Sequence, residues 1–480
     1  MTVGDLAITS MRVTGSAAGD PAPTTMDRAA RRRVLVITVD FPPSLAMGAQ
    51  ACAQLARYLP RYGWDPIILT VRDCHLEDRD AGATPGSVGA IVRTGVMPHP
   101  LTVYRRLARR RPNVAAVGTG EASRGRAGVL RRWALSLLQI PDAYSGWIPP
   151  AVIAGLAAIR KHRVDHIFSS SPHSTNHLVG LSLATLSGLS WTAQFRDPWT
   201  YPWIQWQQSK PLSALSARIE TALERLVVRS AGVVACVTAQ HAEWLRQENA
   251  DLPRDKFVTI PNGFDGAEWE AVQGADDHRR PARGQDDTFV ITYAGSLYHR
   301  RSPAPLFQAL RSLIDAGEVV RERVRVELIG RCDAAQAAAL RDLAAGWGLA
   351  GCVTITGPLG RAETLRRVAH ADLLLLLAEE LIYQIPGKTY EYLRSGRPIL
   401  ALASEGAVAD LLRRTGGAWV VDPCDAAGVT AAVREAHRQW TTTGGGPRPD
   451  PEVVMTFDRR VLAGRFAALF DRAVAPLRVP

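Results

Sequence analysis

Residues 371–403, ADLLLLLAEELIYQIPGKTYEYLRSGRPILALA, constrain the fold more tightly than any other stretch of the chain. Five consecutive leucines, residues 373–377, are too few to span a membrane and are flanked by charge, so they predict a fully buried parallel strand. A loop over residues 379–387 follows and is closed by Pro386 and Gly387. The spacing then predicts a short helix over residues 388–395, stopped by Gly396 and Pro398, and a second apolar strand over residues 398–403. A strand, a loop and a helix N-terminus in that order favour an anion, because the first helical turn presents free N–H groups and the positive end of its dipole.

Two side chains sharpen that expectation. Lys388 stands at the helix start and is one of four lysines among 57 basic residues, the others being Lys161, Lys210 and Lys256. An ammonium there is a compact point charge able to complete a diphosphate site. Glu391 falls on the same helix face, where it either accepts two ribose hydroxyls or forms an exposed ion pair with Lys388. The run Pro386-Gly387-Lys388-Thr389 also looks like the end of a P-loop, but that loop requires glycine where this chain has Ile382.

At 480 residues the chain is too long for one core. We expect a tail over residues 1–30, a first domain over 31–272, a linker over 273–287, a second domain over 288–455, and a helix over 456–480 that crosses back to the first domain. The tail is small and polar without a signal peptide's apolar centre, and is expected to be disordered. The six cysteines lack CxxC spacing and are expected to be reduced core residues of a cytoplasmic protein. Residues 104–133 hold nine arginines against Glu121 alone, a net charge of +8 out of +11 for the whole chain. Aromatic interleaving is sparse there and no nucleic-acid-binding motif accompanies it, so nucleic acid is not expected as a partner. Two readings stand for Arg105, Arg106, Arg109, Arg110 and Arg111: an anionic membrane surface at the inner face of the cell membrane, or a solvated basic face.

Along the chain, residues 34–39 predict a buried strand broken by Phe41-Pro42-Pro43, with Met47-Gly48 leading into a helix over 49–62 and a second strand over 66–71. This is the β-α-β start of a doubly wound sheet without GxGxxG, so a nicotinamide site is not supported. Asp78-Arg79-Asp80 matches the DxD of metal-dependent sugar transferases but has no buried strand before it, and reads as loop charge. A strand over 166–169 ends in Ser169-Ser170-Ser171-Pro172-His173, and one over 191–195 delivers Arg196-Asp197-Pro198-Trp199 to the same edge. His173 and His177 have i,i+4 spacing without a third ligand type, so no metal is expected. The Arg196–Asp197 pair is either a structural clamp or a hydroxyl-binding site. Trp199, Trp203 and Trp206 predict a rim for an apolar or sugar-bearing acceptor, with helix packing as the alternative for the last two. From residue 289 the pattern restarts with a strand, the turn Ala294-Gly295-Ser296-Leu297, Arg300-Arg301 and a helix from Pro303; later strands end at Gly330 and at Gly357-Pro358.

In their order these motifs resemble the retaining glycosyltransferase family 4 and its relatives. The marks are Phe41-Pro42-Pro43 with Gly48, Ile260-Pro261-Asn262-Gly263-Phe264-Asp265, the turn at Gly295, and the segment from Pro386 to Leu400. The resemblance covers roughly residues 33–475 and is weakest over 75–140. Ser171-Pro172-His173-Ser174 and Phe195-Arg196-Asp197-Pro198-Trp199 look like a branch concerned with bacterial exopolysaccharide and related glycosylation. The resemblance implies the GT-B architecture, an α/β fold of two Rossmann-like domains facing across a cleft. It also implies a nucleotide-diphosphate sugar as donor substrate rather than a resident cofactor, and metal-independent transfer with retention; the membrane reading of the basic segment adds the expectation of a lipid-linked or similarly large acceptor.

Carried onto this sequence, the resemblance makes Arg301, Lys388 and His173 catalytic. Gly295, Ser296, Arg301, Gly357, Pro358, Leu359, Lys388, Thr389 and Glu391 would hold the donor nucleotide, with Tyr383 and Gly387 at its sugar. Gly48, His173, Arg196, Asp197 and Trp199 would take the acceptor. Two departures stand out: Tyr383 replaces the first of the family's two glutamates, and Ser296 replaces a frequent arginine. Tyr383 keeps open a different class, a non-catalytic nucleotide-sugar-binding partner subunit. Other chemistry on the same fold, such as nucleotide-sugar epimerisation, is a further alternative.

Overall fold

The apolar runs become strands because their side chains are covered on both faces of two parallel sheets. The computed structural model describes residues 31–76, 79, 89–98, 140–200, 214–275, 288–297, 301–379 and 381–475. Seven strands, β1 (Arg32–Ile37), β2 (Trp64–Val71), β3 (Ala90–Thr94), β4 (His166–Ser170), β5 (Trp191–Phe195), β6 (Val233–Cys236) and β7 (Phe257–Thr259), make the first sheet. Six more, β8 (Phe289–Ala294), β9 (Val324–Ile329), β10 (Val353–Gly357), β11 (Leu373–Ala378), β12 (Ile399–Ala403) and β13 (Ala418–Val421), make the second. Their orders are β3-β2-β1-β4-β5-β6-β7 and β10-β9-β8-β11-β12-β13.

Each sheet reverses its winding once, between β1 and β4 and between β8 and β11. Loops diverge at such a point and open a crevice beyond the carboxyl ends of the strands. The leucine run fills the second of these positions. β11 pairs with β12 from Leu374↔Ile399 to Ala378↔Ala403 and with β8 at Leu373↔Ile291, with none of its leucines more than 3% exposed. Helix Gly387–Ser395 then begins at the cleft and stops at Gly396, whose φ of 68° is the left-handed conformation expected of a C-terminal glycine.

The tail closes the molecule. Helix Arg459–Val474 is capped by Asp458, whose carboxylate accepts from Arg460 N at 2.8 Å. Phe466 and Phe470 of this helix lie 5.4 and 5.5 Å from Phe168 of β4, and Phe470 lies 5.5 Å from Trp64 of β2. The crossover explains the Asn262-Gly263-Phe264 motif. Phe264 N donates to Phe457 O and Arg459 N donates to Phe264 O, so the two strands of chain run edge to edge. A Cβ on Gly263 would stand 2.0 Å from Phe457 O.

Most expected elements are present, with shifted ends. The first strand is Arg32–Ile37 rather than 34–39, and the first helix is Met47–Tyr58 followed by a 3-10 turn, Leu59–Tyr62. Strands β3 and β13 had no counterpart in the sequence reading. Helix Gly266–Ala275 extends into the expected linker. The cysteine expectation needs correction: Cys52, Cys236 and Cys352 are buried, whereas Cys74 and Cys424 are exposed. No helix among the described residues is long and apolar enough to cross a membrane. The N-terminal tail, the arginine-rich segment, most of the linker, Trp203, Trp206, Asp78, Asp80 and Arg300 lie outside the described residues.

Candidate active site

The two winding reversals face each other across a cleft of about 320 Å³, lined among others by Met47, Gly48, Arg196, Arg301, Gly387 and Arg459. On the second-domain wall, Gly295 ends β8 at φ 144°, and a Cβ there would lie 2.5 Å from Lys388 Nζ. Gly330 ends β9 against Gly295, with room for no Cβ because Gly295 O is 2.1 Å from where it would stand. Gly330 N donates to Gly357 O at the end of β10. Three glycines thus step across the carboxyl edge of the sheet beside one lysine.

Lys388 Nζ is enclosed, lies 3.6 Å from the centroid of the Tyr293 ring, and has no hydrogen-bond partner among the described residues. Burial pushes the ammonium well below the ordinary lysine value; Arg301 adds to the shift and Glu391 opposes it. A cation held this way gains from any anion that enters the cleft. The Lys388–Glu391 ion pair does not form. Glu391 instead meets Arg361 at 2.5 Å, and Arg361 also binds Glu268 at 2.9 Å. Arg301 lines the same wall and donates from Nη1 to Ser296 O at 3.4 Å.

The first-domain wall is made of side chains. Asn176 holds its edge together: Val39 N donates to Asn176 Oδ1 at 3.1 Å, and Asn176 Nδ2 donates to Ser170 O and Pro172 O at 2.7 and 3.1 Å. This brings the loops after β1 and β4 into register and sets His173 Nε2 3.3 Å from Asp40 Oδ2. His173 adopts φ 63° and packs edge-on against Tyr144 at 4.6 Å, a left-handed backbone held in place by its surroundings. Burial alone would raise the Asp40 carboxyl, but the hydrogen bond and charge of His173, helped by Ser44 and Arg196, bring it below the ordinary value. Gly48 lies against this group, since a Cβ there would be 3.1 Å from Arg196 Nη1 and 3.5 Å from Asp40 Oδ2.

Contacts between the walls are direct. Gln384 donates from Nε2 to Asp197 Oδ1, Thr238 Oγ1 donates to Tyr383 O at 2.7 Å, and Gln240 Nε2 donates to Asp410 Oδ2 at 2.6 Å.

Residues 48–263 match the family model of the glycosyl transferase 4-like domain. A glycosyltransferase from Rickettsia africae shares the fold over 93% of this chain and 99% of its own, with a TM-score of 0.55 and 12% identity. Sucrose-phosphate synthase from Thermosynechococcus elongatus matches over 93% of this chain and 100% of its own, at 0.60 and 16%. HepE of Anabaena, solved with UDP and glucose, matches over 92% and 100%, at 0.54 and 14%. The chain has the GT-B fold, and within it residues 48–263 carry a glycosyl transferase 4-like domain match. No curated protein sequence matches it.

In this GT-B fold, Gly295, Ser296, Arg301, Gly387 and Lys388 come together on the second wall, and Gly48, His173, Arg196 and Asp197 on the first. Gly357, Pro358 and Leu359 lie at the carboxyl end of β10, with Pro358 exposed. Thr389 is fully buried, and its N–H is taken by Pro386 O at 2.9 Å. Tyr383 reaches toward the first domain, its ring 5.9 Å from Trp244. Trp199 is a correction: at 6% exposure it belongs to the first-domain core and forms no acceptor rim. His177 is likewise a core residue, bonded to Ser169 Oγ at 2.8 Å and stacked on Phe195, with burial bringing it down to about 3. Sequence reasoning missed Asp40, Asn176, Arg361 and Arg459. Only Asp40 left a trace, as an acid just past a buried strand.

Proposed function

We propose that the protein is a glycosyltransferase that moves a sugar from a nucleoside-diphosphate sugar to an acceptor hydroxyl with retention of anomeric configuration. The observation that carries the reading is the enclosed Lys388 Nζ, without a hydrogen-bond partner among the described residues, at the start of helix Gly387–Ser395 in the crevice of the second sheet. Breaking a sugar–phosphate bond develops negative charge on the departing diphosphate. Lys388, Arg301 and the first N–H groups of that helix are fixed where such charge would accumulate, and fixed charges need no reorganisation at the moment of reaction. HepE, similar in fold, has been solved with UDP, which supports a nucleotide on this wall.

With retention, the acceptor hydroxyl attacks on the leaving group's face and passes its proton to a phosphate oxygen, so no strong protein base is required. His173, fixed by Asp40 on the opposite wall, orients the acceptor and the sugar between the walls. The protein's own cations meet the diphosphate charge, so the reading includes metal independence. We place the acceptor in polysaccharide, glycolipid or glycosylated-metabolite assembly, with Arg105, Arg106, Arg109, Arg110 and Arg111 docking the protein on anionic membrane.

A panel of nucleoside-diphosphate sugars tests the reading, with nucleotide release as the signal and proton NMR of the product giving the anomer. Release from one donor, unchanged by chelator, with the donor's anomeric configuration kept, is the expected result. Binding without release from any donor would replace the reading with a non-catalytic binding subunit, and an inverted product would remove retention. For the membrane, co-sedimentation should favour anionic over neutral vesicles and weaken with salt. Equal binding to both would remove that part.

A further inference from the structure

The two neighbours at the end of β5 serve different ends. Asp197 is taken up by Gln384 of the opposite wall, so it acts as the clamp. Arg196 is 8% exposed, yet its Nε and Nη1 are buried and have no hydrogen-bond partner among the described residues. Asp40, which feels the Arg196 charge, is committed to His173 and to Ser44. A second guanidinium sits beside Arg196. Arg459, delivered by the tail helix, donates from Nε to Gly263 O at 3.1 Å and lines the same cleft. Burial, with the Arg196 charge next in weight, brings Arg459 down to about 10. Glu391 and Glu268 oppose that shift without reversing it, so two buried like charges, one with two nitrogens that have no hydrogen-bond partner among the described residues, form a site that a bound anion completes.

We propose that the acceptor carries an anionic group, a phosphate or a carboxylate, seated on Arg196 and Arg459 of the first-domain wall. This rests on the reading of the opposite wall as the donor site, since Lys388 and Arg301 already supply cations for a diphosphate there. The residue type fits: a guanidinium presents a planar fork that takes two oxygens of one anion, which an ammonium does not. Gly48 fits as well, because any side chain at that position would push into Arg196 Nη1. The site selects acceptors by charge next to the hydroxyl that is glycosylated.

The test uses the full chain and three probes, inorganic phosphate, acetate and UDP, followed by calorimetry. Phosphate and acetate are titrated into Lys388→Ala, in which the opposite wall has lost its enclosed ammonium. One of them should bind, phosphate marking a phosphorylated acceptor and acetate a carboxylated one. Adding Arg196→Gln or Arg459→Gln to that background should weaken binding about ten-fold or more, the loss expected for charge-assisted hydrogen bonds. In the otherwise unchanged chain, Arg196→Gln should leave UDP affinity within about two-fold. Arg196→Lys, which keeps the charge and loses the fork, should fall between and covers the case in which the glutamine variant does not fold. Failure of both anions to bind, or UDP affinity falling with Arg196→Gln as far as phosphate affinity does, would overturn the proposal. If Lys388→Ala leaves UDP affinity unchanged, the donor reading of the opposite wall fails on its own, and the Arg196 result stands apart from it.

Discussion

The two walls of the cleft have the same strand order around their winding reversals, and they are built from different materials. The second-domain wall is mostly backbone: three glycines at strand ends, a helix N-terminus, and one ammonium enclosed by a tyrosine ring. The first-domain wall is mostly side chains held by other side chains, Asp40 on His173, Asn176 across two loops, and Asp197 on Gln384. On the proposed reading, a backbone cradle suits what every nucleotide-sugar donor shares. A side-chain cradle recognises what differs between acceptors. The same winding therefore carries a general half and a particular half, and substitutions on the two should fail in different ways.

The largest effect belongs to the general half. Lys388→Ala should lower turnover by on the order of 100-fold or more with every acceptor tried, the loss typical of one stabiliser of developing charge. Lys388→Arg should not restore it, because a planar guanidinium cannot occupy the same enclosed point. Wild-type turnover in the arginine variant, measured under saturating donor, would remove the distinction drawn for this wall.

Asp40→Asn comes next and probes the particular half. It frees His173 from its charged partner and should lower kcat/KM for the acceptor by about ten-fold, while donor hydrolysis by water changes little. An equal loss in both reactions would mean that the walls are not separable. Asp40 has its carboxyl lowered in the folded protein, so the stability it contributes is present above the unfolded value and is lost as pH falls through the folded one. The His173 pairing should survive mild acid.

A third expectation reads as stability rather than rate. Glu224 is buried beneath the first wall, where Thr200 Oγ1 donates to it at 2.6 Å, and burial outweighs that bond to raise it to about 7. A carboxyl raised on folding binds its proton more tightly in the native state, so stability falls as pH rises from the unfolded value through about 7. Glu224→Gln should remove that slope, gaining about 1–3 kcal/mol relative to wild type at pH 8 over pH 5. Parallel melting curves for the two proteins across that range would contradict it.

The smallest effect is at the seam. Gln384→Ala deletes one contact between the walls and should cost about 1 kcal/mol or less in stability. The acceptor KM should rise modestly, and a shift in donor KM alone would assign the contact to the wrong half.

Legibility in the sequence followed the same division. Most strands of both sheets were readable because covered strands require unbroken apolar runs, and the glycine turns because each ends such a run; the half-buried edge strands β3 and β13 were not. Lys388 was readable because it is rare and sits at a helix start. The first wall was harder. Asp40 meets His173 across 133 positions, and no local pattern announces such a pair. Arg459 reaches the cleft only because the tail folds back, and Arg361 meets Glu391 only because helix Arg361–His370 packs beside it. Trp199 was misjudged for a related reason: a tryptophan after a strand end reads alike whether it turns outward or into the core.

The returning tail also sets an order of events in time. A chain emerging from the ribosome can build most of each sheet as it appears, because domains fold as units from the N-terminus. Phe168 and Trp64 nevertheless wait for Phe466 and Phe470, made some 300 residues later than Phe168. Arg459 waits with them. The first domain is thus begun before the second and finished only after it. A nascent chain arrested before residue 459 would carry both sheets and a cleft that still lacks Arg459.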